Sequence, residues 1–277
     1  MSSTAVQQKV ASQANGGVEF LLARIGRSFL EFMTYLGGLS YLTYDCFLSL
    51  FKDHFNWKET INQFEMVGVK SLSLTSLIAV FTGMVLAVQF IVGLERFGLQ
   101  LYTGQIIGIA IVRELGPVLT AVMIAARVGA GITAELGSMK VTEQVLAIEA
   151  MGANPIQKLV VPRVLATTLS TPILTVIANM IGILGGMMIT VLETGVSSTF
   201  FLDQITSTVK FVDFTSGIAK TFFFGFFIGI IACYQGLKTE GGTAGVGKAT
   251  THSVVYGSIC VFVSDFFLTK LFLLFWV

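Results

Sequence analysis

The chain reads as an all-α integral membrane protein. An N-terminal interfacial amphipathic helix precedes five transmembrane helices, and a short polar helix sits between spans two and three. Three observations predict this. Of the 277 residues, 54% are hydrophobic and only 12% charged, with a mean hydropathy of +0.82. An average soluble domain is about 25% charged, so this chain carries more apolar surface than one small core can bury, and lipid must be its solvent. The charges are also spaced so that they leave apolar runs long enough to cross a bilayer core of ~30 Å, which takes roughly 20 helical residues. Finally, the interval 127–163 between two such runs carries both charge signs and closes on Gly152-Ala153-Asn154-Pro155, a combination that stops a helix.

The elements follow in order. Residues 1–17 are rich in Ser, Gln and Ala, without an apolar core followed by a small-residue cleavage site. They are expected to be a disordered cytoplasmic leader ahead of a single domain over 18–277. Within 18–66, an interfacial elbow region, Val18, Leu21, Leu22, Ile25, Phe29, Phe32, Met33 and Leu36 recur at helical spacing. Glu19, Arg24, Arg27, Ser28 and Glu31 fall largely opposite. Such a helix either lies in the membrane interface or packs on a soluble partner. Gly37-Gly38 is expected to break it, with residues 39–51 continuing the elbow.

The core, 67–277, holds the spans: 71–94, 102–126 (interrupted by Arg113 and Glu114), the uncharged 164–192, 214–237 and 251–275. Basic residues near the spans set orientation. Placing the 127–163 loop inside gathers Arg127, Lys140, Lys158, Arg163, Lys238 and Lys248 on the cytoplasmic side and leaves Arg96 and Lys210 outside, with Lys220 and Lys270 assigned to neither side. The N-terminus is then cytoplasmic and the C-terminus periplasmic.

Two motifs carry candidate chemistry. In the loop, Thr142 is placed to cap a helix on which Val145, Ile148 and Met151 or Gly152 share one face, while Glu143 and Ala147 lie on another. From spacing alone this is either a coupling helix for an ATPase or an amphipathic loop helix on the membrane surface. The second motif is Arg113-Glu114-Leu115-Gly116-Pro117 inside span two. Ionisable groups at that depth cost several kcal/mol unless paired or hydrated, so they face a cavity or one another. Pro117 cannot donate to the Arg113 carbonyl, which predicts a kink. The run is either a polar patch that meets a phospholipid headgroup or an ion pair that fixes helix packing. Small residues four apart, at Gly104/Gly108, Ala126/Ala130, Gly182/Gly186 and Gly225/Gly229, allow close helix approach, mainly within the chain.

Other classes fall away. A net charge of +1 supplies no basic field for nucleic acid. Cys46, Cys233 and Cys260 have no metal-ligand spacing and read as small buried hydrophobes. Gly242 to Lys248 satisfies GxxxxGK, but Ala249 stands where a P-loop needs Ser or Thr, and no buried strand precedes it. His252 beside Ser253 is not a catalytic geometry, and no enzyme motif is present.

From about Gly68 to the C-terminus, the chain resembles the permease subunits of the Mla and Mce lipid transporters, the MlaE family. Ala134-Glu135-Leu136-Gly137, Thr142-Glu143-Gln144 and Glu149-Ala150-Met151-Gly152 are similar to that family's coupling region. The resemblance implies ATPase coupling by Glu135, Thr142, Glu143, Ala147, Glu149, Met151 and Gly152. Arg113 to Pro117, and Gly83-Met84-Val85-Leu86-Ala87-Val88-Gln89, resemble the family's cavity-lining segments. This implies lipid binding by Arg113, Glu114, Leu115, Val88 and Gln89. Gln89 is expected to point inward, since an amide needs a hydrogen-bond partner in lipid.

By the same resemblance the chain is an MlaE-like permease domain in the bacterial inner membrane. It is expected as a homodimer with an ABC ATPase subunit, which binds ATP and Mg, a periplasmic hexameric MCE-domain protein and a STAS-domain regulatory subunit. It would itself hold no cofactor and catalyse nothing. Its expected work is to move phospholipid between the inner membrane and the periplasmic carrier, maintaining outer-membrane lipid asymmetry. The alternatives are an Mce-type permease for sterols or fatty acids, and an ATP-independent carrier using Glu114 and Asp265.

Overall fold

The computed structural model describes residues 26, 27, 29–50 and 57–275. The expected leader, the first part of the amphipathic run and the C-terminal tip lie outside the described residues. Two compact units are present, divided after Asp45. In the first, α1 begins; its helix runs over residues 29–50 and passes through Gly37-Gly38 without interruption, contrary to the predicted break. Two glycines lower helix propensity by only about 1 kcal/mol each, too little to end a helix flanked by good formers. Phe29, Phe32, Met33 and Leu36, the described part of the predicted apolar face, are all exposed.

In the second unit every described element is helical, and five helices are long and apolar enough to cross a membrane: Trp57–Glu95, Gln100–Val141, Ile156–Thr194, Phe211–Leu237 and Gly242–Leu274. The expected five spans are present, with helices that overrun the predicted edges. The third span contains α8, Val161–Thr194, of 34 residues. At ~1.5 Å per residue it is about 51 Å long, well beyond a ~30 Å hydrocarbon core. The first is built from α2 (Trp57–Val67) and α3 (Leu72–Glu95), and the second from α4 (Thr103–Ala110), α5 (Gly116–Ile124) and α6 (Ala130–Val141). Five-residue π turns join α4 to α5 and α5 to α6, so helix continues past Arg127, where the sequence suggested that the span ends.

After it come the loop helix α7 (Gln144–Ala150), then α8, α9 (Ser198–Thr208), α10 (Phe211–Leu237) and α11 (Gly242–Phe275). The GxxxxGK run lies in the first turns of α11, not in a phosphate-cradling loop. Short α9 was not foreseen. Ser197 caps it by accepting from the Phe200 N–H at 3.2 Å, while Phe201 and Ile205 pack into the core.

The centre is α8, packed on α3 and α10; α10 in turn packs on α6 and α11. Glycine makes these approaches possible. A methyl at Gly83 of α3 would collide with the Gly182 carbonyl of α8, and one at Gly225 would lie 2.5 Å from the Thr167 carbonyl. The pairs Gly182/Gly186, Gly225/Gly229 and Gly104/Gly108 are therefore used within the chain, the last against α9. Ala126, by contrast, is exposed. Along the inner face of α8, Thr167, Thr171 and Thr175 each donate to the carbonyl four residues back, which satisfies hydroxyls that hydrocarbon cannot. Burial ranks the spans: 67% of the apolar stretch of α10 is enclosed against 17% in α3 and 11% in α11. The outer sides of α3 and α11 thus face whatever surrounds this chain.

Candidate functional site

The π turn Ile111–Leu115 organises the site. The Gly116 N–H donates to the Ile111 carbonyl, five residues back rather than four. Pro117 then leaves the Arg113 carbonyl without its usual donor, and the Lys220 ammonium, reaching from α10, supplies one at 3.3 Å. The predicted kink is realised as this turn. Lys220 is 1% exposed and spends its remaining donors on Glu114 Oε2 at 2.8 Å and Asp265 Oδ1 of α11 at 3.1 Å. Thr269 Oγ1 lies 3.5 Å from the other Glu114 oxygen. Three spans are thus pinned together at one level by one cation and two carboxylates.

Arg113 is held less tightly. Its guanidinium is 3.7 Å from Asp213 Oδ1 and 4.0 Å from Glu114 Oε1, both beyond a good charged hydrogen bond of about 2.7–2.9 Å. Asp213 is fixed at the first turn of α10, where its Oδ2 accepts from the Lys210 N–H at 3.0 Å. A cleft of about 420 Å³ opens among Arg113, Asp213, Ser216, Lys220, Thr269 and Phe272. Arg113 is half-buried there, with donors to spare. The structure separates the two residues of the run: Glu114 is in the packing network and Arg113 borders a cleft.

The other expected lipid residues are not gathered at this point. Leu115 lines a different, apolar cleft of about 360 Å³, with Thr75, Ile78 and Thr82 of α3 and Leu119 of α5. Val88 and Gln89 are exposed on α3. Gln89 does not point into the chain's own core as expected, because Gly83, Ala87 and Ile91 form the buried stripe at four-residue spacing and Gln89 lies on the opposite side.

The loop helix is present. Val145 and Ile148 are buried, and α7 packs on α6. Glu143, Leu146, Ala147, Glu149, Met151 and Gly152 are exposed. Thr142 does not cap it: the hydroxyl donates back to the Ser138 carbonyl at 2.8 Å, finishing α6, while Glu143 adopts φ 60° to turn the chain into α7. The expected stop holds, with Gly152 at φ +77° just past the helix. Met151 is 73% exposed and leaves the face shared by Val145 and Ile148. Glu135 of α6 turns toward α8, where Arg163 NH2 lies 2.9 Å from its Oε1.

The Lys220–Asp265 link and the Asp213 contact were missed in the sequence. The available signal was charge arithmetic: Glu114, Lys220 and Asp265 each interrupt an apolar run and each needs a partner.

Five packed spans, charges held within them and an exposed helix between two spans define a multi-pass membrane protein of the transporter-permease kind. Comparison with known proteins narrows this. Residues 60–271 match the family Permease MlaE, and the chain belongs to it. It is 36% identical over 248 residues to a probable ABC transporter permease protein of Rickettsia felis, covering 90% of this chain and 96% of that one. A probable ABC transporter permease protein of Synechocystis is 38% identical over 231 residues, 83% and 88% of the two chains. The intermembrane phospholipid transport system permease protein MlaE of Haemophilus influenzae is 33% identical over 255 residues, 92% and 97% of the two.

Proposed function

We propose that this chain is the phospholipid-handling permease subunit of an ABC transporter in the bacterial inner membrane, moving lipid between that membrane and a periplasmic MCE-domain carrier and so maintaining outer-membrane lipid asymmetry. The observation that carries the reading is Arg113. Of the two cations in the charge cluster, Lys220 is enclosed and committed, whereas Arg113 borders a cleft with long contacts only. A guanidinium fork suits bidentate contact with a phosphate. Glu114 and Asp265 share one lysine, which supports a structural role for them and weighs against an ATP-independent carrier built on those carboxylates.

The chain works as a homodimer. The exposed Val88 and Gln89 support this, since an amide facing hydrocarbon is costly and a second copy across α3 and α11 would enclose it. The lipid then lies between copies, touching Arg113, Glu114, Leu115, Val88 and Gln89. On the cytoplasmic side Thr142, Glu143, Ala147, Glu149, Met151 and Gly152 meet a separate ABC ATPase that binds ATP and Mg, with a STAS-domain subunit as regulator. The N-terminal helix, with its exposed apolar face, lies in the interface, the N-terminus is cytoplasmic and the C-terminus periplasmic.

Arg113→Ala tests the lipid assignment. Phospholipid copurifying with the complex should fall while dimer and ATPase association persist. A photo-crosslinker at Val88 should capture lipid, and one at Ile183, packed against the core cluster that contains Ile107 and Phe201, should capture little. Dissociation or unfolding of Arg113→Ala would assign Arg113 to packing instead.

A further inference from the structure

Arg163 is read from sequence as one of the basic residues of a cytoplasmic loop, yet it is 3% exposed. Its position explains why. The π turn Ile156–Val160 leads into α8, with the Val161 N–H donating to the Ile156 carbonyl and Pro162 at the second helical position. A proline there leaves the carbonyl of Lys158 without its usual donor, so this joint has fewer internal hydrogen bonds than plain helix. Arg163 fastens it from the far side: NH1 donates to the Leu159 carbonyl at 2.6 Å and NH2 reaches Glu135 Oε1 at 2.9 Å.

Those two contacts close a loop of structure. Exposed α7 rests on α6 through Val145 and Ile148. In turn α6 is locked to α10, because Thr133 Oγ1 donates to the Ala232 carbonyl at 3.0 Å and Gly236 packs on Leu136. The chain leaves α7, turns at Asn154, whose Oδ1 accepts from the Ile156 N–H at 2.9 Å, and enters α8 through the π turn. Glu135 and Arg163 join the two legs across this corner. A buried guanidinium cannot readily part from the carboxylate it meets, since the separated charge would stay in a low-dielectric setting.

We infer that the Glu135–Arg163 pair is the strut that makes α6, α7 and the start of α8 move as one piece. Displacement of α7 then reaches span three as a rigid movement instead of being absorbed at the π turn. Glu135 is thereby a positioning residue acting through Arg163, not a contact to the ATPase. This rests on the coupling function proposed above for α7.

The test uses the full permease with its cognate ATPase, reconstituted in lipid nanodiscs and proteoliposomes. Glu135→Gln keeps the shape and removes the charge at a side chain 41% exposed, and its amide oxygen can still accept from Arg163. Arg163→Lys keeps the charge and removes the fork. In both, ATPase copurification should match wild type, lipid moved per ATP hydrolysed should fall about tenfold, and amide exchange over residues 156–163 should quicken. Reversing the pair, Glu135→Arg with Arg163→Glu, should recover part of the loss that each reversal causes alone. Loss of ATPase copurification with unchanged exchange would make Glu135 a partner contact and overturn the strut. So would wild-type transport and exchange in Glu135→Gln. Should even the wild-type chain recruit no ATPase, the coupling function falls, and exchange alone judges the strut: quickened exchange at 156–163 keeps it, unchanged exchange removes it.

Discussion

Replacing Lys220 with methionine removes the one ammonium that Glu114 and Asp265 share, at 2.8 and 3.1 Å, along with the donor to the Arg113 carbonyl. Methionine fills similar volume, so the loss is electrostatic and not a cavity. Breaking a buried ion pair by removing one partner costs about 3–5 kcal/mol, because the remaining charge stays desolvated. Here the Glu114 side chain is 36% exposed and Asp265 19%, so part of the charge keeps access to water and the lower end applies, about 3 kcal/mol. For a chain of this size each kcal/mol moves the melting midpoint by roughly 2–4 °C, which sets a drop of about 6–12 °C. The assay is a thermal scan of detergent-extracted protein followed by size exclusion, at one fixed scan rate because membrane proteins unfold irreversibly. The triple variant Lys220→Met, Glu114→Gln, Asp265→Asn should recover at least half of the drop, since a neutralised site carries no orphan charge. If Lys220→Met melts within about 2 °C of wild type, or the triple variant is no better than the single one, the ion network does not hold the three spans together.

Three further outcomes follow from the same geometry. Gly83→Val should destabilise by about 1–3 kcal/mol or prevent folding, as its Cβ collides with the Gly182 carbonyl; Gly93→Val on the same helix, where nothing lies within 4 Å, serves as control, and equal melting of the two would refute the close α3–α8 contact. Charge reversal at the exposed Glu143 or Glu149, or a bulky residue at Gly152, should leave membrane insertion intact and weaken ATPase copurification, with the Gly152 variant also strained at φ +77°; normal copurification and transport in all three would leave α7 as a plain surface helix. A reporter fused after Val277 should be active only outside the cytoplasm and one inserted near Ser138 only inside, and a cytoplasmic C-terminus would refute the orientation drawn from basic residues.

Features governed by local chemistry are legible along the chain without the fold. Five uncharged or nearly uncharged stretches mark five spans because each backbone must satisfy its own hydrogen bonds in hydrocarbon, whatever its neighbours do. Gly152 ends α7 and Pro117 disturbs span two for reasons contained in a few residues of chain. Local signals also misled: Gly37-Gly38 did not break α1, and Thr142 closed α6 instead of opening α7. In each case a competing arrangement of the same backbone was equally legible. Which charges meet is set by the packing of the helices. Lys220 and Asp265 are 45 residues apart, and Lys220 and Glu114 are 106 apart; their pairing depends on the depth and rotation of three helices, which glycine contacts such as Gly217 against the Val112 carbonyl help to set. Nor does the sequence reveal that Arg163 is buried on Glu135 while Arg113 keeps donors free toward a cleft. Each arginine follows an apolar residue, Val112 or Pro162, and their difference arises from the neighbouring helices, whose placement is a property of the packed bundle and not of any one segment.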